Sequence, residues 1–316
     1  MMLLRSLCLA AGLATTAFAA PVEDRAVAAP PGGDVTILNY ALALEFLERK
    51  FYSQGIKKFS KNDFCNAGFD EEFYPNLKRI FEDEKTHVTF LSTALGDQAI
   101  GEPTFSFPFT DVHSFVSLAG VLEGVGVSAY LGAAAAIVNK DYLTAAGSIL
   151  TVEARHASYI RAALGQKPFP TNFDTPLDFN QVYSLAAQFI TSFAPGAGVP
   201  FKAFPPLTAA DPTHRSFKPG GKVVFKGAYK AAKAAGKTNK PLYAVFFSGL
   251  QTYYVPVKIG GNKIDYVANI PKANFASAGQ PAPAGQVYIT LSSADGKKVV
   301  AGDENTVAGV AIIEVV

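Results

Sequence analysis

The pattern Glu-x-x-His occurs twice in this 316-residue chain, as Glu84-Lys-Thr-His87 and as Glu153-Ala-Arg-His156. Residues at positions i and i+3 of a helix lie on the same face, so each copy would direct a carboxylate and an imidazole toward one point. One copy alone would more often be a solvated helix surface than a pair of ligands. Because the pattern is repeated, a shared site is the better interpretation.

A lone glutamate precedes each copy of the pattern, Glu45 before the first and Glu123 before the second, and each lies in an apolar helical stretch. An unpaired carboxylate in such a stretch would carry a large desolvation penalty, which a bound cation would remove. Four helices contributing Glu, Glu-x-x-His, Glu and Glu-x-x-His supply the ligands of a carboxylate-bridged di-metal site in a four-helix bundle. The predicted metal ligands are Glu45, Glu84, His87, Glu123, Glu153 and His156.

The sequence around these residues repeats as well. Ala-Leu-Gly follows each histidine at the same distance, as residues 94–96 and 163–165. Tyr52 and Tyr130 lie seven residues after the two lone glutamates, two helical turns along the same face. Each tyrosine could donate a hydrogen bond to a metal-binding carboxylate, act as a redox-active phenol, or only pack in the core. The repeat therefore predicts a bundle with two matching halves.

Glu48 is a further candidate ligand, since it lies one helical turn after Glu45. The equivalent position in the second half is Gly126, so the repeat does not require a carboxylate there. We therefore expect Glu48 to form a salt bridge on the surface of the bundle.

Together these motifs resemble the ferritin-like superfamily. More narrowly, the chain is similar to the fungal secreted ferritin-like proteins described as stress-response or sexual-development proteins, relatives of plant desiccation-related proteins. The metal motifs span about residues 34–165, and the stretch Pro200–Thr208 also resembles the fungal group. The resemblance implies that Glu84 and Glu153 bridge two metal ions, with the lone glutamates as terminal ligands and one histidine on each ion. It implies no single reaction, because one fold hosts many functions.

The ligand chemistry suits two metal ions, iron or manganese, because carboxylate oxygens are combined with imidazole. Two such ions about 3.5 to 4 Å apart could reduce dioxygen or peroxide. These inferences favour a di-metal oxidoreductase that acts on dioxygen or peroxide in stress protection. The alternative is a non-enzymatic metal-binding or structural protein of the cell surface or extracellular space, in which the metals only hold the bundle together.

The N-terminus predicts a secretory signal peptide over residues 1–19, with a basic residue at Arg5, a short apolar segment and the cleavage pattern Ala17-Phe-Ala19. Residues 20–33 are rich in Ala, Pro and Gly and predict a disordered lead-in. The expected location is therefore extracellular or in the cell wall.

The predicted fold is α+β and multidomain. A ferritin-like four-helix bundle with a fifth helix is expected over residues 34–195, followed by a small antiparallel β-sandwich-like domain over residues 196–316. Residues 97–110 would connect the second and third helices and are long enough to cross the bundle between two parallel helices. The candidate N-caps are Asp34, Asp111 and Asp141, and the candidate fifth helix is Val182–Phe193. The predicted strands are Lys222–Phe225, Ala244–Phe247, Tyr253–Val257, Gln286–Leu291 and Val310–Val316.

Residues 115–138 are uncharged apart from Glu123 and are long enough to span a bilayer. A membrane span would leave Glu123 as an intramembrane carboxylate with no partner, whereas the bundle explains its position. We therefore expect a helix buried on most of its faces and no membrane span.

Charge is divided unevenly along the chain. There are 14 basic and 20 acidic residues through position 199, and 14 basic and 6 acidic residues from position 200 onward. Two divalent cations would offset most of the excess negative charge of the bundle. Lysines between residues 226 and 240 either contact polyanions such as acidic cell-wall polysaccharide or belong to a solvated loop or helix. The second interpretation is favoured because no arginine lies among them, and no nucleic-acid partner is expected.

Overall fold

The computed structural model describes residues 27–194, 198–212 and 216–316. The signal peptide predicted over residues 1–19 and the domain boundary predicted between residues 195 and 196 lie outside these ranges, so both stay predictions. The described part is an α+β fold in which a helical bundle is followed by antiparallel sheets, as predicted.

Four long helices form the bundle, and a short helix lies in the connection between the first two. The long helices are α1 (Gly33–Lys58), α3 (Phe73–Leu95), α4 (Val112–Ala133) and α5 (Lys140–Ala163), and the short helix is α2 (Lys61–Asn66). Length and composition alone would allow the stretch Val112–Ala136 to cross a membrane, but 72% of its most apolar window is buried inside the fold. The buried placement of α4 is what a bundle core requires.

Hydrogen bonds between helix ends define the directions of the helices. The side chain of Asn39, near the start of α1, donates to the carbonyl oxygen of Gln98 just after α3 at 2.9 Å, so α1 and α3 are antiparallel. The carboxylate of Asp34 accepts from the backbone N–H groups of residues 138–139 after α4, so α1 and α4 are antiparallel as well. Helices α3 and α4 are therefore parallel, and residues 97–110 form the ferritin-like crossover between them.

Helix starts agree with the predicted caps at one position and differ at two. Asp111 caps α4 and accepts the backbone N–H of the residue three positions later at 2.8 Å. The prediction for Asp34 was wrong, since the N-cap of α1 is Gly32 and the carboxylate of Asp34 is engaged at the end of α4. The prediction for Asp141 was wrong because Asn139 is the N-cap of α5. Its side-chain oxygen accepts hydrogen bonds from the backbone N–H groups of residues 141 and 142.

The fifth helix, α6 (Phe179–Ala186), starts and ends earlier than the predicted Val182–Phe193. Asp178 caps its start, which the apolar pattern alone did not indicate. The segment Ile190–Ser192 is instead strand β2, which pairs with strand β1 (Thr104–Phe105) of the crossover. Its β-branched residues favour an extended conformation once a strand partner is available.

The chain beyond residue 198 forms two antiparallel four-stranded sheets in its described part, as a β-sandwich-like domain requires. The strand order is β10-β9-β5-β6 in one sheet and β3-β4-β8-β7 in the other. All five predicted strand segments overlap observed strands, whereas β3, β7 and β8 were not predicted. The strands are β3 (Thr208–Ala210), β4 (Lys222–Lys226), β5 (Tyr243–Ser248), β6 (Gln251–Pro256), β7 (Lys258–Ile259), β8 (Tyr266–Asn269), β9 (Gly285–Ser292) and β10 (Thr306–Val315), and helix α7 (Ala228–Ala234) follows β4.

Strand β5 is buried on both faces, because successive side chains of a strand point to opposite sides of a sheet. Ala244 and Phe246 lie in the core between the two sheets, whereas Val245 and Phe247 join the hydrophobic core of the bundle. Tyr288 of β9 also faces the bundle and contacts the backbone of α4. The sheet that contains β5 therefore packs directly against the helices, and this contact shapes one side of the site.

Candidate metal centre

All six predicted ligands lie together in the interior of the bundle. The four glutamates have no exposed surface, and the two imidazoles are buried as well. Each of the four long helices contributes: Glu45 from α1, Glu84 and His87 from α3, Glu123 from α4, and Glu153 and His156 from α5. The i and i+3 spacing of each Glu-x-x-His motif places its two side chains on one inward face.

The ligand atoms form two overlapping groups, and within each group all atoms lie within 4.8 Å of one another. The first group is Glu45, Glu84, His87 and Glu153, and the second group is Glu84, Glu123, Glu153 and His156. Glu84 and Glu153 belong to both groups. This sharing is the arrangement that two bridged metal ions require, although metal binding by these residues stays a prediction.

Both imidazoles present Nδ1 to the carboxylates. Nδ1 of His87 lies 3.2 Å from oxygens of Glu45, Glu84 and Glu153, and Nδ1 of His156 lies 3.1 Å from Glu84. Each of the two histidines, one in each ligand group, therefore directs its Nδ1 toward the shared carboxylates.

Asp83 orients one of these imidazoles from outside. Its Oδ2 lies 3.5 Å from Nε2 of His156, and its carboxylate is paired with Arg79 at 2.6 Å. A carboxylate on the outer nitrogen of a metal-binding histidine fixes the ring and its tautomer. Sequence reasoning missed Asp83, although its position next to Glu84 in the acidic run was a usable signal.

The two predicted tyrosines hold the two lone glutamates. The hydroxyl of Tyr130 on α4 donates to Oε1 of Glu45 on α1 at 2.5 Å, and the hydroxyl of Tyr52 on α1 donates to Oε1 of Glu123 on α4. Each tyrosine thus serves the glutamate of the opposite half. Burial and the neighbouring carboxylates raise the pKa of both phenols, so both keep their protons. Of the three roles considered for them, hydrogen bonding to the cluster is present.

Several buried atoms of the cluster have no hydrogen-bond partner among the described residues. They are Oε2 of Glu48, Oε1 of Glu84, Oε2 of Glu123, both carboxylate oxygens of Glu153, and Nδ1 of His156. The close approaches of some of these atoms to imidazole nitrogens are too poorly aligned to count as hydrogen bonds. A buried polar group left unsatisfied costs about 1–3 kcal/mol. Oxygen and imidazole donors that converge without partners fit divalent cations of the iron or manganese type.

Burial and mutual proximity shift the pKa values in the metal-free cluster. Burial raises the pKa of Glu45 to about 7 and also raises that of Glu153. Burial opposes ionisation of Glu84 too, but the adjacent imidazoles of His156 and His87 outweigh it and lower its pKa to about 2. Burial would lower the pKa of both imidazoles, yet the carboxylates raise that of His156 to about 11 and also raise that of His87. At neutral pH the metal-free cluster therefore holds protons on its ligand atoms.

We expect the affinity for Mn²⁺ to rise with pH through neutrality, because protons and cations compete for the same atoms. Glu45 titrates at about 7, so below that pH a further proton must be displaced. Each displaced proton weakens binding by roughly tenfold per pH unit below the pKa. Calorimetric titrations of the metal-free chain with Mn²⁺ at three pH values, one below, one at and one above neutrality, measure this dependence of affinity on pH. An affinity that is constant or falls as pH rises would contradict the assignment.

The prediction of a surface salt bridge for Glu48 was wrong, since its side chain is 3% exposed and faces the cluster. Gly126 on α4 makes this burial feasible, because a Cβ atom there would lie 3.0 Å from Oε1 of Glu48 and 3.4 Å from Oε2 of Glu153. Burial and the charge of Glu153 raise the pKa of Glu48. Glu48 belongs to neither ligand group. Its spacing of three residues from Glu45 was the signal that placed it on the inward face.

Comparisons with known proteins agree with this architecture. Residues 33–166 match the family described as the ferritin-like domain, and these residues contain the four long helices and all six candidate ligands. The chain is also 26% identical over 270 residues to Protein rds1 of Schizosaccharomyces pombe. That alignment covers 72% of this chain and 66% of the relative, so the chain spans just under two thirds of the relative's length. Residues 33–166 are thus similar to the ferritin-like domain, and the chain is similar to one fungal protein.

Proposed function

We propose that this chain is a secreted ferritin-like protein that binds two iron or manganese ions and uses them to transfer electrons to dioxygen or peroxide, with a protective role under stress. The observation that carries the proposal is the pair of overlapping ligand groups, which share Glu84 and Glu153 and contain buried oxygens without partners. The signal-like residues 1–19 support secretion.

The proposed ligand set follows from membership in the two groups. When bound, two such ions supply the electrons needed to reduce dioxygen or peroxide. The shared glutamates Glu84 and Glu153 would hold both ions. Glu45 and His87 would complete the ligand set of one ion, and Glu123 and His156 would complete that of the other.

The residues around the ligands hold them in place. Tyr130 and Tyr52 each occupy one oxygen of a lone glutamate, which leaves the other oxygen to face the cluster. Oδ2 of Asp83 lies 3.5 Å from Nε2 of His156, on the outer side of the ring, so that Nδ1 is the nitrogen directed at the cluster and would be the one available to a metal. Apolar side chains of the bundle core enclose the cluster and exclude bulk water, which strengthens its electrostatic interactions. The chain thus supplies preorganisation rather than a separate reactive group.

The near-complete burial of the ligands favours a second candidate function, in which the metals only stabilise the bundle. In that case the protein would be a non-enzymatic metal-binding or structural component of the extracellular space or cell surface. The two functions share the metal site and differ in turnover.

We expect the Fe²⁺-loaded chain to consume dioxygen or hydrogen peroxide over many turnovers in the presence of a reductant, and the Glu84→Ala variant to show none. Glu82→Ala is the matched control, because Glu82 lies on the same helix but is exposed and pairs only with Lys85 in the described structure. An oxygen electrode and a peroxide assay measure consumption. Tight binding of two ions without turnover, with either iron or manganese, would favour the structural function instead.

A further inference from the structure

A cavity of about 290 Å³ lies between the bundle and the β-sandwich. Its walls are mainly apolar and come from α1, α4, α6, β3 and β10, with Leu44, Val125, Leu185 and Ile312 among the lining side chains. Gln188 and Thr208 also line it and are exposed, so they mark its open side. The sheet that packs on the helices therefore leaves a lined space rather than a sealed contact.

The buried end of the cavity meets the carboxylate cluster. Glu48 and Gly126 line the cavity and are both buried. A Cβ at Gly126 would lie 3.4 Å from Oε2 of Glu153, one of the two shared ligands. Gly126 therefore separates the cavity from Glu153, and it has no side chain to fill the space between them.

The two halves of the repeat differ at this point. Glu48 and Gly126 occupy equivalent positions, three residues after the two lone glutamates. One half therefore presents a carboxylate where the other leaves space. The cavity therefore adjoins the cluster on the side of Gly126, and the carboxylate of Glu48 is the polar group on that side.

The size and chemistry of the cavity define what it would hold. An engineered apolar cavity of about 150 Å³ in another protein binds benzene, so a cavity about twice as large suits a molecule of roughly ten to fifteen heavy atoms. Oε2 of Glu48 is buried and has no partner among the described residues, so it is free to accept a hydrogen bond. The neighbouring carboxylates disfavour an anionic ligand. An apolar molecule with one neutral hydroxyl group meets all three conditions.

We propose that this cavity binds a neutral, mostly apolar phenol or alcohol, whose hydroxyl group donates to Glu48 beside the shared ligand Glu153. The proposal deepens the proposed function, on which it rests, by naming the substrate class of the metal centre. Glu48 is then the residue that positions the substrate, which explains why a carboxylate outside both ligand groups is buried here.

Calorimetric titration of the full-length chain with 4-propylphenol tests the proposal, in both metal-free and Mn²⁺-loaded protein. We expect saturable binding of one molecule per chain, and binding of propylbenzene about tenfold weaker because it cannot donate to Glu48. Ala186→Leu fills the cavity from α6 and should weaken phenol binding at least about tenfold. Ala187→Leu, at the adjacent residue that does not line the cavity, is the matched control and should bind as the wild type does.

A second variant that blocks the cavity keeps the test valid if Ala186→Leu fails to fold. Thr208→Trp narrows the exposed side of the cavity, and Ala210→Trp on the same short strand lies outside the lining. Absence of saturable phenol binding to the wild type, or equal loss in blocking and control variants, would overturn the proposal. A parallel Mn²⁺ titration separates the two claims. Phenol binding without metal binding would refute the proposed function, and with it the role of the phenol as a substrate of the metal centre, but not the binding site in the cavity. Metal binding without phenol binding would refute the cavity proposal alone.

Discussion

Glu84→Ala is expected to abolish paired-metal binding and to remove the whole metal-dependent increase in melting temperature. Glu84 belongs to both ligand groups, so its loss affects both ions rather than one. A metal at about one hundred times its dissociation constant stabilises the folded state by about 2.7 kcal/mol. For a chain of this size that corresponds to a rise of roughly 4 °C in the wild type.

The readout is the difference between metal-loaded and metal-free melting temperatures, because the variant also changes the metal-free protein. Nδ1 of His87 and Nδ1 of His156 lie 3.2 and 3.1 Å from the Glu84 carboxylate there, and the pKa of Glu84 is lowered to about 2. That contribution to stability is present above the ordinary glutamate pKa and is lost as the pH falls toward 2, so metal-free Glu84→Ala should melt below metal-free wild type at neutral pH. Glu82→Ala should retain the full metal effect. Equal metal effects in wild type and Glu84→Ala would show that the cluster is not the metal site.

Gly132→Ala is expected to destabilise the fold by about 3 kcal/mol or more, which is at the upper end for overpacking. A Cβ atom there would lie 1.8 Å from the carbonyl oxygen of Leu177. The backbone of Leu177 cannot retreat without loss of its own hydrogen bond, which runs from its N–H to the carbonyl oxygen of Ser128 at 3.1 Å. Chemical denaturation followed by circular dichroism measures the change.

Gly147→Ala on α5 is the matched control. Apart from the adjacent residues and the nearby backbone of α5 itself, no described atom lies within 4 Å of the position that its Cβ would take. Alanine should therefore stabilise the protein there by about 0.5–1 kcal/mol through helix propensity. If Gly132→Ala proved as stable as Gly147→Ala, the close contact between Gly132 on α4 and the backbone of Leu177 would be incorrect.

The positions of the six candidate ligands could be predicted from the sequence because they depend on local periodicity. The spacing of Glu84 and His87 repeats at Glu153 and His156, and a helix converts that spacing directly into a shared face. The 97–110 connection was likewise long enough for the parallel arrangement of α3 and α4 that the family resemblance implied.

Features that depend on residues distant in the chain were missed. The spacing from Glu45 places Glu48 on the inward face, but its burial also depends on the missing side chain of Gly126 on another helix, which no local pattern shows. The sequence predicted a strand at Ala244–Phe247, but not that Val245 and Phe247 would pack against the bundle. The end of α6 depends on pairing between β1 and β2, about eighty residues apart. The cavity next to the cluster arises from the same long-range packing.

Metal analysis of the protein purified from its native source, without chelators, tests the central claim most directly. Elemental mass spectrometry of the purified chain gives the identity and the number of bound metals. The account predicts two ions per chain, iron or manganese, as the two overlapping ligand groups require. A folded chain that carries neither metal, or that retains its metal when Glu84 is replaced, would contradict it.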